Sequence, residues 1–258
     1  MEGHLVKLTS FSTSSTDGGG AQLQSRISTM ALALKLNFKY VHFPIIQVDH
    51  GESPDWHGRW EQVLDFHTYY NDSEEKETYT TVTVVGCLLA LAFGKKSPEP
   101  RFRISNPHFF LDRFPSDIHK IRPRLRSMLR IPQSILDERP KSVALHLRIF
   151  QPKDVGFTSA RETNVSAISH KLWELSSATR NKVTIFYSPA GQPPDFQHLP
   201  EFEVDNSDAL ITLFRLVRSE NLFLAKSSLS YIAGLLSKDN VYYARFWHPP
   251  MPDWRLLN

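Results

Sequence analysis

Only one cysteine, Cys87, occurs in 258 residues, so an intrachain disulfide is excluded and a thiolate metal site is not expected. Cys87 lies in the apolar run 84–93 and reads as a core filler. That run falls short of the roughly 18 to 20 apolar residues that cross a bilayer, and no basic stretch followed by an apolar core opens the chain. The expectation is a cytoplasmic protein without a transmembrane segment, in which the glycosylation patterns Asn71-Asp72-Ser73 and Asn164-Val165-Ser166 are chance matches. Glycine is scarce, 11 against 17 prolines, which excludes a fibrous composition. An excess of charge is lacking too: 30 Lys+Arg stand against 27 Asp+Glu, and a nucleic-acid partner is not indicated. What is present, 41% hydrophobic and 22% charged residues, builds an ordinary globular core of one large domain or two small ones.

Along the N-terminal half, His4–Thr9 is an expected strand and Ser10–Gly20 a Ser/Thr/Gly-rich loop ending in three glycines. Ile27, Met30, Ala31, Leu34 and Leu36 then recur at near-helical spacing, which predicts an amphipathic helix over Gln22–Leu36, with Lys39–Phe43 as the next strand. A right-handed crossover places these two strands in one parallel sheet. From Pro44 to Pro115 the pattern is less regular, with a helix expected over Arg59–Phe66 and a Thr/Val-rich run at Thr80–Val85. Ser116–Leu129 reads as a helix whose Lys120, Arg122, Arg124, Arg126 and Arg130 form a solvated basic face, and Ile131–Pro140 as a linker.

Beyond it, strands and helices alternate at short intervals. Strand Ser142–Arg148, helix Val165–Thr179, strand Lys182–Tyr187, strand Phe202–Val204 and helix Ser207–Arg218 come first. Strand Asn221–Ala225, helix Ser228–Leu236 and strand Val241–Phe246 follow. This alternation predicts a doubly wound α/β sheet, in which ligands bind beyond the carboxyl ends of the strands. Those ends carry His146 and Arg148, then Ser188, then Asp205, then Ser227, Ser228 and Ser230 at a helix start. A helix N-terminus offers unpaired N–H groups and Arg a planar fork of donors, a combination that suits a diphosphate. Taken singly, each has a plainer reading: Ser227 or Ser228 as a helix cap, Arg148 in a surface ion pair, His146 as a buried strand residue.

The motifs that frame these residues resemble one family. Val143-Ala144-Leu145-His146-Leu147-Arg148 is similar to the His-x-Arg strand of the fucosyltransferase superfamily, which includes α-1,2-, α-1,6- and protein O-fucosyltransferases. Gly18-Gly19-Gly20-Ala21-Gln22 resembles its N-terminal Gly-x-Gly-Asn-Gln loop, and Ile185-Phe186-Tyr187-Ser188 its Phe-Ser-Asp strand end. Lys226-Ser227-Ser228-Leu229-Ser230-Tyr231-Ile232-Ala233 is similar to its Ser-rich, aromatic helix start. The resemblance implies a GT-B-like fold of two Rossmann-like lobes around a cleft, with an acceptor-side lobe at 1–135 and a nucleotide-sugar lobe at 136–258. It also implies inverting, metal-independent transfer from a nucleoside diphosphate sugar, GDP-fucose foremost, to a glycan acceptor. No further cofactor is implied.

On the same resemblance, Arg148 holds the β-phosphate and His146 lies near the nucleotide. Ser188, Ser227, Ser228 and Ser230 line the donor site, and Asp205, with Asp208 next to it, is the carboxylate for nucleotide recognition. Gly18, Gly19, Gly20 and Gln22 line the cleft from the other lobe, where glycine lets backbone approach a ligand. The chain departs from the family at Ile149-Phe150-Gln151, where a Gly-Asp and a second Arg are usual, and at Ala21, Leu229 and Tyr231. These departures mark a divergent branch and keep open a binding module without turnover. A general base for the acceptor hydroxyl comes from Asp17, His42, Asp49 or His50, with none preferred. The aromatic C-terminus Phe246–Trp254 reads as a tail packed on the sheet, and His108 and His119 lack ligand spacing, so no metal is expected. A P-loop kinase and a Rossmann dehydrogenase are disfavoured, because neither glycine fingerprint is present.

Overall fold

The segment Val183–Phe186 is buried at all four positions, so it has no solvent face and suits the interior of a parallel sheet covered by helices on both sides. A computed structural model describes residues 6–10, 18–48, 54–70, 78–93, 100–148, 165–180, 182–187 and 199–257, in two units, Met1–Arg130 and Ile131–Asn258. Each unit carries one parallel sheet. The fold class is therefore α/β with two parallel sheets, as the alternation of elements predicts.

Unit 1 contains β1 (Lys7–Ser10), α1 (Gly19–Lys35), β2 (Lys39–Tyr40), α2 (Trp56–Glu61), α3 (Phe66–Tyr69), β3 (Thr80–Val82), α4 (Val84–Phe93), β4 (Arg101–Ile104), α5 (His108–Arg113) and α6 (Pro115–Met128). Its strand order is β2-β1-β4-β3. Lys7 pairs with Lys39 across the expected β1–α1–β2 crossover. Two expectations are corrected here. Helix α1 begins at Gly19 rather than Gln22, and it is buried from Gly19 to Ala33 apart from Ala21; it is a core helix, not an amphipathic one. The helix expected over Arg59–Phe66 is broken into α2 and α3 by the turn at 62–65. Helix α1 ends in a Schellman motif: Asn37, at φ 54, supplies the left-handed residue. The Phe38 and Asn37 amides then donate to the carbonyls of Ala33 and Leu34.

The basic face of α6 is solvated in part as expected. Lys120 pairs with Asp117, Arg124 lies over the Tyr70 ring and Arg130 pairs with Asp65, but Arg122 is buried. Cys87 is fully buried, and burial pushes its thiol up to about 11, so it is a core filler rather than a reactive thiol.

Unit 2 contains α7 (Gln133–Leu136), β5 (Ala144–His146), α8 (Val165–Thr179), β6 (Val183–Phe186), β7 (Phe202–Asp205), α9 (Ala209–Val217), β8 (Asn221–Phe223), α10 (Ser228–Leu236), β9 (Asn240–Tyr243) and β10 (Arg255–Leu256). The segment read as a linker thus holds the short helix α7. All six strands run parallel in the order β10-β9-β8-β5-β6-β7. Starting from β5, the chain adds β6 and β7 on one side, crosses back, and adds β8, β9 and β10 on the other, which is the doubly wound Rossmann order. Val143, Leu145, Leu172, Val183, Ile185 and Phe223 form the fully buried core beside β5. At the amino ends of β5, β8 and β9, Asn221 donates to the Ser142 carbonyl at 2.9 Å and Asn240 to the Asn221 side chain at 3.1 Å, which ties the three strands in register.

The aromatic tail packs as expected. Tyr231 donates to the Pro249 carbonyl at 2.8 Å and Tyr243 to that of His248. Trp254 closes on α10 at Gly234, where a Cβ would approach its ring to 2.9 Å.

Candidate functional site

In a doubly wound sheet the switch point lies where the chain reverses its direction of strand addition, here between β5 and β8. Leu145 pairs with Phe223 at that junction, so the residues just beyond them share one edge. They are His146 and Arg148 from β5, and the turn from Leu224 into α10 from β8. The strand order thus sets the β5 end that carries His146 and Arg148 beside the β8 end that leads to Ser227, Ser228 and Ser230. Ser188 lies outside the described residues.

The turn before α10 is wound by its own hydroxyls. Ser227 caps the helix by accepting from the Ser230 amide at 3.1 Å, and buried Ser230 accepts from the Ala225 amide at 2.8 Å. Both hydroxyls hold the helix start in shape, so the donors it presents are the backbone N–H groups of Ser228 and Leu229 and the hydroxyl of half-buried Ser228. His146 is buried, and its Nδ1 has no hydrogen-bond partner among the described residues. Burial, with a smaller contribution from the neighbouring Arg148 charge, pushes its imidazole down to about 3, so the ring is neutral at physiological pH.

This shift has a measurable consequence. The folded chain resists protonating His146 while the unfolded chain accepts a proton near the ordinary value of 6.5. The stability contribution is therefore complete above pH 6.5 and is lost as the pH falls from there toward 3. Urea unfolding at pH 7 and pH 4.5 is expected to show a loss from this group on the order of 2 kcal/mol. His146→Leu should flatten that part of the profile, and an unchanged slope in the variant would assign the acid sensitivity elsewhere.

Asp205 sits at the end of β7, on the far side of β6 from β5, and its carboxylate is occupied within the unit. It accepts from Arg215 at 2.8 Å and from the Ser207 amide at 3.0 Å, while the same Arg215 forms a two-pronged pair with Glu138 at 2.8 and 2.6 Å. The structure does not bring Asp205 to the β5–β8 junction. Asp208 caps α9, accepting from the Leu210 and Ile211 amides at 2.9 and 2.8 Å.

In unit 1 the glycine motif opens α1. Gly18 is the cap residue, with nothing among the described residues within 4 Å of a Cβ placed on it, whereas a Cβ on Gly19 would stand 2.1 Å from the Trp60 indole. Gly19 therefore admits a buried ring, and Gly18 is the glycine that leaves open space. Gln22 is buried and donates to the Gln47 carbonyl at 2.5 Å. Next to it, fully buried Arg26 donates to the carbonyls of Phe43, Gln22 and Pro44 at 3.0 to 3.1 Å, fixing the chain after β2.

Of the general-base candidates, Asp17, Asp49 and His50 lie outside the described residues. His42 is completely buried. Its Nε2 is 2.5 Å from Glu61 Oε1, its Nδ1 is 3.3 Å from the Tyr40 hydroxyl, and its ring stacks on Phe66 at 4.6 Å. Glu61 also accepts from the Ile45 amide at 2.6 Å and reaches His67 Nε2 at 3.0 Å. Burial holds His42 below its ordinary value, and the imidazole hydrogen bond keeps Glu61 ionised despite its own desolvation. Sequence reasoning named His42 alone. Glu61 and His67 were missed, because His42, Glu61 and His67 have neither helical nor strand spacing and meet only through β2, α2 and α3.

No protein-family model matches the chain, and no curated protein matches it. Among solved structures, the heptosyltransferase WaaC of E. coli with ADP-2-deoxy-2-fluoro heptose aligns over 98% of this chain and 92% of its own, at 11% identity and a TM-score of 0.45. A family 9 glycosyl transferase from Veillonella parvula aligns over 98% and 87%, at 10% identity and 0.47. NodZ α-1,6-fucosyltransferase soaked with GDP-fucose aligns over 90% and 92%, at 10% identity and 0.43. No helix among the described residues is long and apolar enough to cross a membrane.

Proposed function

We propose that the chain is a glycosyltransferase that takes a sugar from a nucleoside diphosphate donor, with GDP-fucose or another GDP-linked deoxysugar foremost, and places it on a glycan acceptor with inversion. One observation carries the reading: the doubly wound order of unit 2 sets Arg148 and the start of α10 at a single switch point, where such sheets bind nucleotides. Solved structures similar to the chain include a glycosyltransferase soaked with GDP-fucose and one with an ADP-heptose analogue.

In this reading the acceptor oxygen bonds to the anomeric carbon from the face opposite the diphosphate, and the bond from that carbon to the β-phosphate oxygen breaks. The acceptor proton passes to a base, for which Asp17, Asp49 and His50 stand as candidates, with buried His42 in a supporting place. The departing diphosphate gathers negative charge. Arg148 and the amides of Ser228 and Leu229 meet that charge without a divalent ion at the diphosphate. His146, neutral and with Nδ1 unpartnered among the described residues, offers a buried polar atom to the nucleotide side of the site.

The test is a thermal-shift panel of GDP, ADP, UDP, dTDP and CDP on the full chain, because a ligand selective for the folded state raises its melting temperature. GDP is expected to give the largest shift. A shift with another nucleotide alone removes the guanine assignment, and no shift with any of them removes the reading. Nucleotide binding without sugar release on any donor and acceptor identifies the non-catalytic module that the missing Gly-Asp and second Arg suggest.

A further inference from the structure

We propose that His42, Glu61 and His67 form a binding site for a zinc-class divalent cation in unit 1. The proposal is independent of the glycosyltransferase reading. The three residues converge from the end of β2, from α2 and from α3, and each offers one ligand atom, all within 4.8 Å of one another. Two imidazoles and one carboxylate form a donor set that zinc and neighbouring first-row divalent ions accept, with positions left for water.

The distances suit that ion. Ligands about 2.0 to 2.2 Å from a zinc ion stand roughly 3 to 3.5 Å from each other, by simple geometry of that coordination sphere. His67 Nε2 and Glu61 Oε1 are already 3.0 Å apart. His42 Nε2 and Glu61 Oε1, at 2.5 Å, share a proton that the cation replaces, and the pair opens by under about 1 Å.

The proton has somewhere to go. With the metal on Nε2, neutral His42 carries its hydrogen on Nδ1, which faces the Tyr40 hydroxyl at 3.3 Å. A hydroxyl accepts as readily as it donates, so Tyr40 serves either tautomer and orients the ring from behind.

The site is also prepared and reachable. Stacking on Phe66 at 4.6 Å and 9° fixes the His42 ring, and the Ile45 amide fixes the second Glu61 oxygen at 2.6 Å. His67 is 46% exposed and opens a path from solvent. Buried Arg26, whose charge acts on both Glu61 and His42, directs three of its nitrogens to the backbone carbonyls of Phe43, Gln22 and Pro44.

The experiment uses the full chain stripped with a chelator and dialysed against zinc chloride, with metal content read by elemental analysis and stability by melting temperature. One zinc per chain is expected, together with a rise in melting temperature of about 5 to 10 °C at 100-fold excess over the dissociation constant. His67→Ala, at a half-exposed position, should remain folded by circular dichroism and lose both signals. Glu61→Gln, near in shape, should lose them as well. Cobalt in place of zinc should give visible absorption bands that vanish in His67→Ala. No retained zinc in the parent chain would overturn the proposal, as would equal zinc retention in the two variants.

Discussion

Arg148→Ala is expected to lower kcat for sugar release by about 100-fold to 1000-fold, the usual cost of removing one donor aimed at developing charge. The effect should fall on kcat more than on KM. On the proposed reading, the ground-state diphosphate is already charged and would be held in part by the α10 amides, whereas the extra charge of bond cleavage would be met chiefly at Arg148. Arg148→Lys should recover only part of the loss, because an ammonium cannot reproduce a planar two-pronged contact. Arg148 is only partly buried, beyond the last residue of β5, so circular dichroism and melting should change little. Steady-state kinetics on the donor that gives the largest thermal shift decide the matter. A parent-like kcat in Arg148→Ala would remove the leaving-group role.

Gly19→Ala should destabilise unit 1 measurably, although it adds only a methyl group. Ala is ordinarily the better helix residue, but here its Cβ would stand 2.1, 2.2 and 2.5 Å from three carbons of the Trp60 indole. The ring is 2% exposed and packs edge-to-face on Trp56 at 6.1 Å, so it cannot swing away as a flexible chain would. Overpacking of this kind costs about 1 to 3 kcal/mol, or a fall in melting temperature of several degrees, at roughly 2 to 4 °C per kcal/mol. Trp60→Leu in the Gly19→Ala background should return part of the loss, and a double-mutant cycle read by denaturant unfolding measures the coupling. Gly18→Ala is the control: among the described residues nothing lies within 4 Å of its Cβ, so the expected loss is only that of Ala at a helix cap, about 1 kcal/mol or less. If Gly18→Ala instead weakens nucleotide-sugar binding, the open glycine rather than the packed one faces ligand. Equal stability of Gly19→Ala and the parent would dismiss the packing role.

The two halves of the chain were not equally legible. Helices α8 and α10 coincide with their sequence-based spans at both ends, because each has a strong local signal: a periodic apolar pattern in α8, and a capping Ser227 in the case of α10. In unit 1, β4 passed unnoticed although it lies between β1 and β3. Its sequence Arg101–Ile104 alternates charged and apolar residues, with Phe102 and Ile104 alone buried, and it reads locally as exposed chain. Strand β10, two exposed residues long, carries no pattern at all. Helix α1 misled for the opposite reason. Buried Gln22, Gln24, Arg26 and Ser28 read as a polar face, when burial had enclosed nearly the whole helix.

The sequence by itself determined the alternation of strands and helices in the second half, the caps that start its helices, and the presence of His146, Arg148 and the serines at strand ends. These follow from periodicity and turn chemistry, which act over a few residues. Only the tertiary structure decided which ends meet. The crossover from β7 to β8 sets Leu145 beside Phe223, nearly eighty residues on, and leaves Asp205 beyond β6, paired with Arg215. It likewise gathered His42, Glu61 and His67 from three elements. Strand order and packing are set by which apolar faces bury one another across long stretches of chain, and no local spacing encodes that outcome.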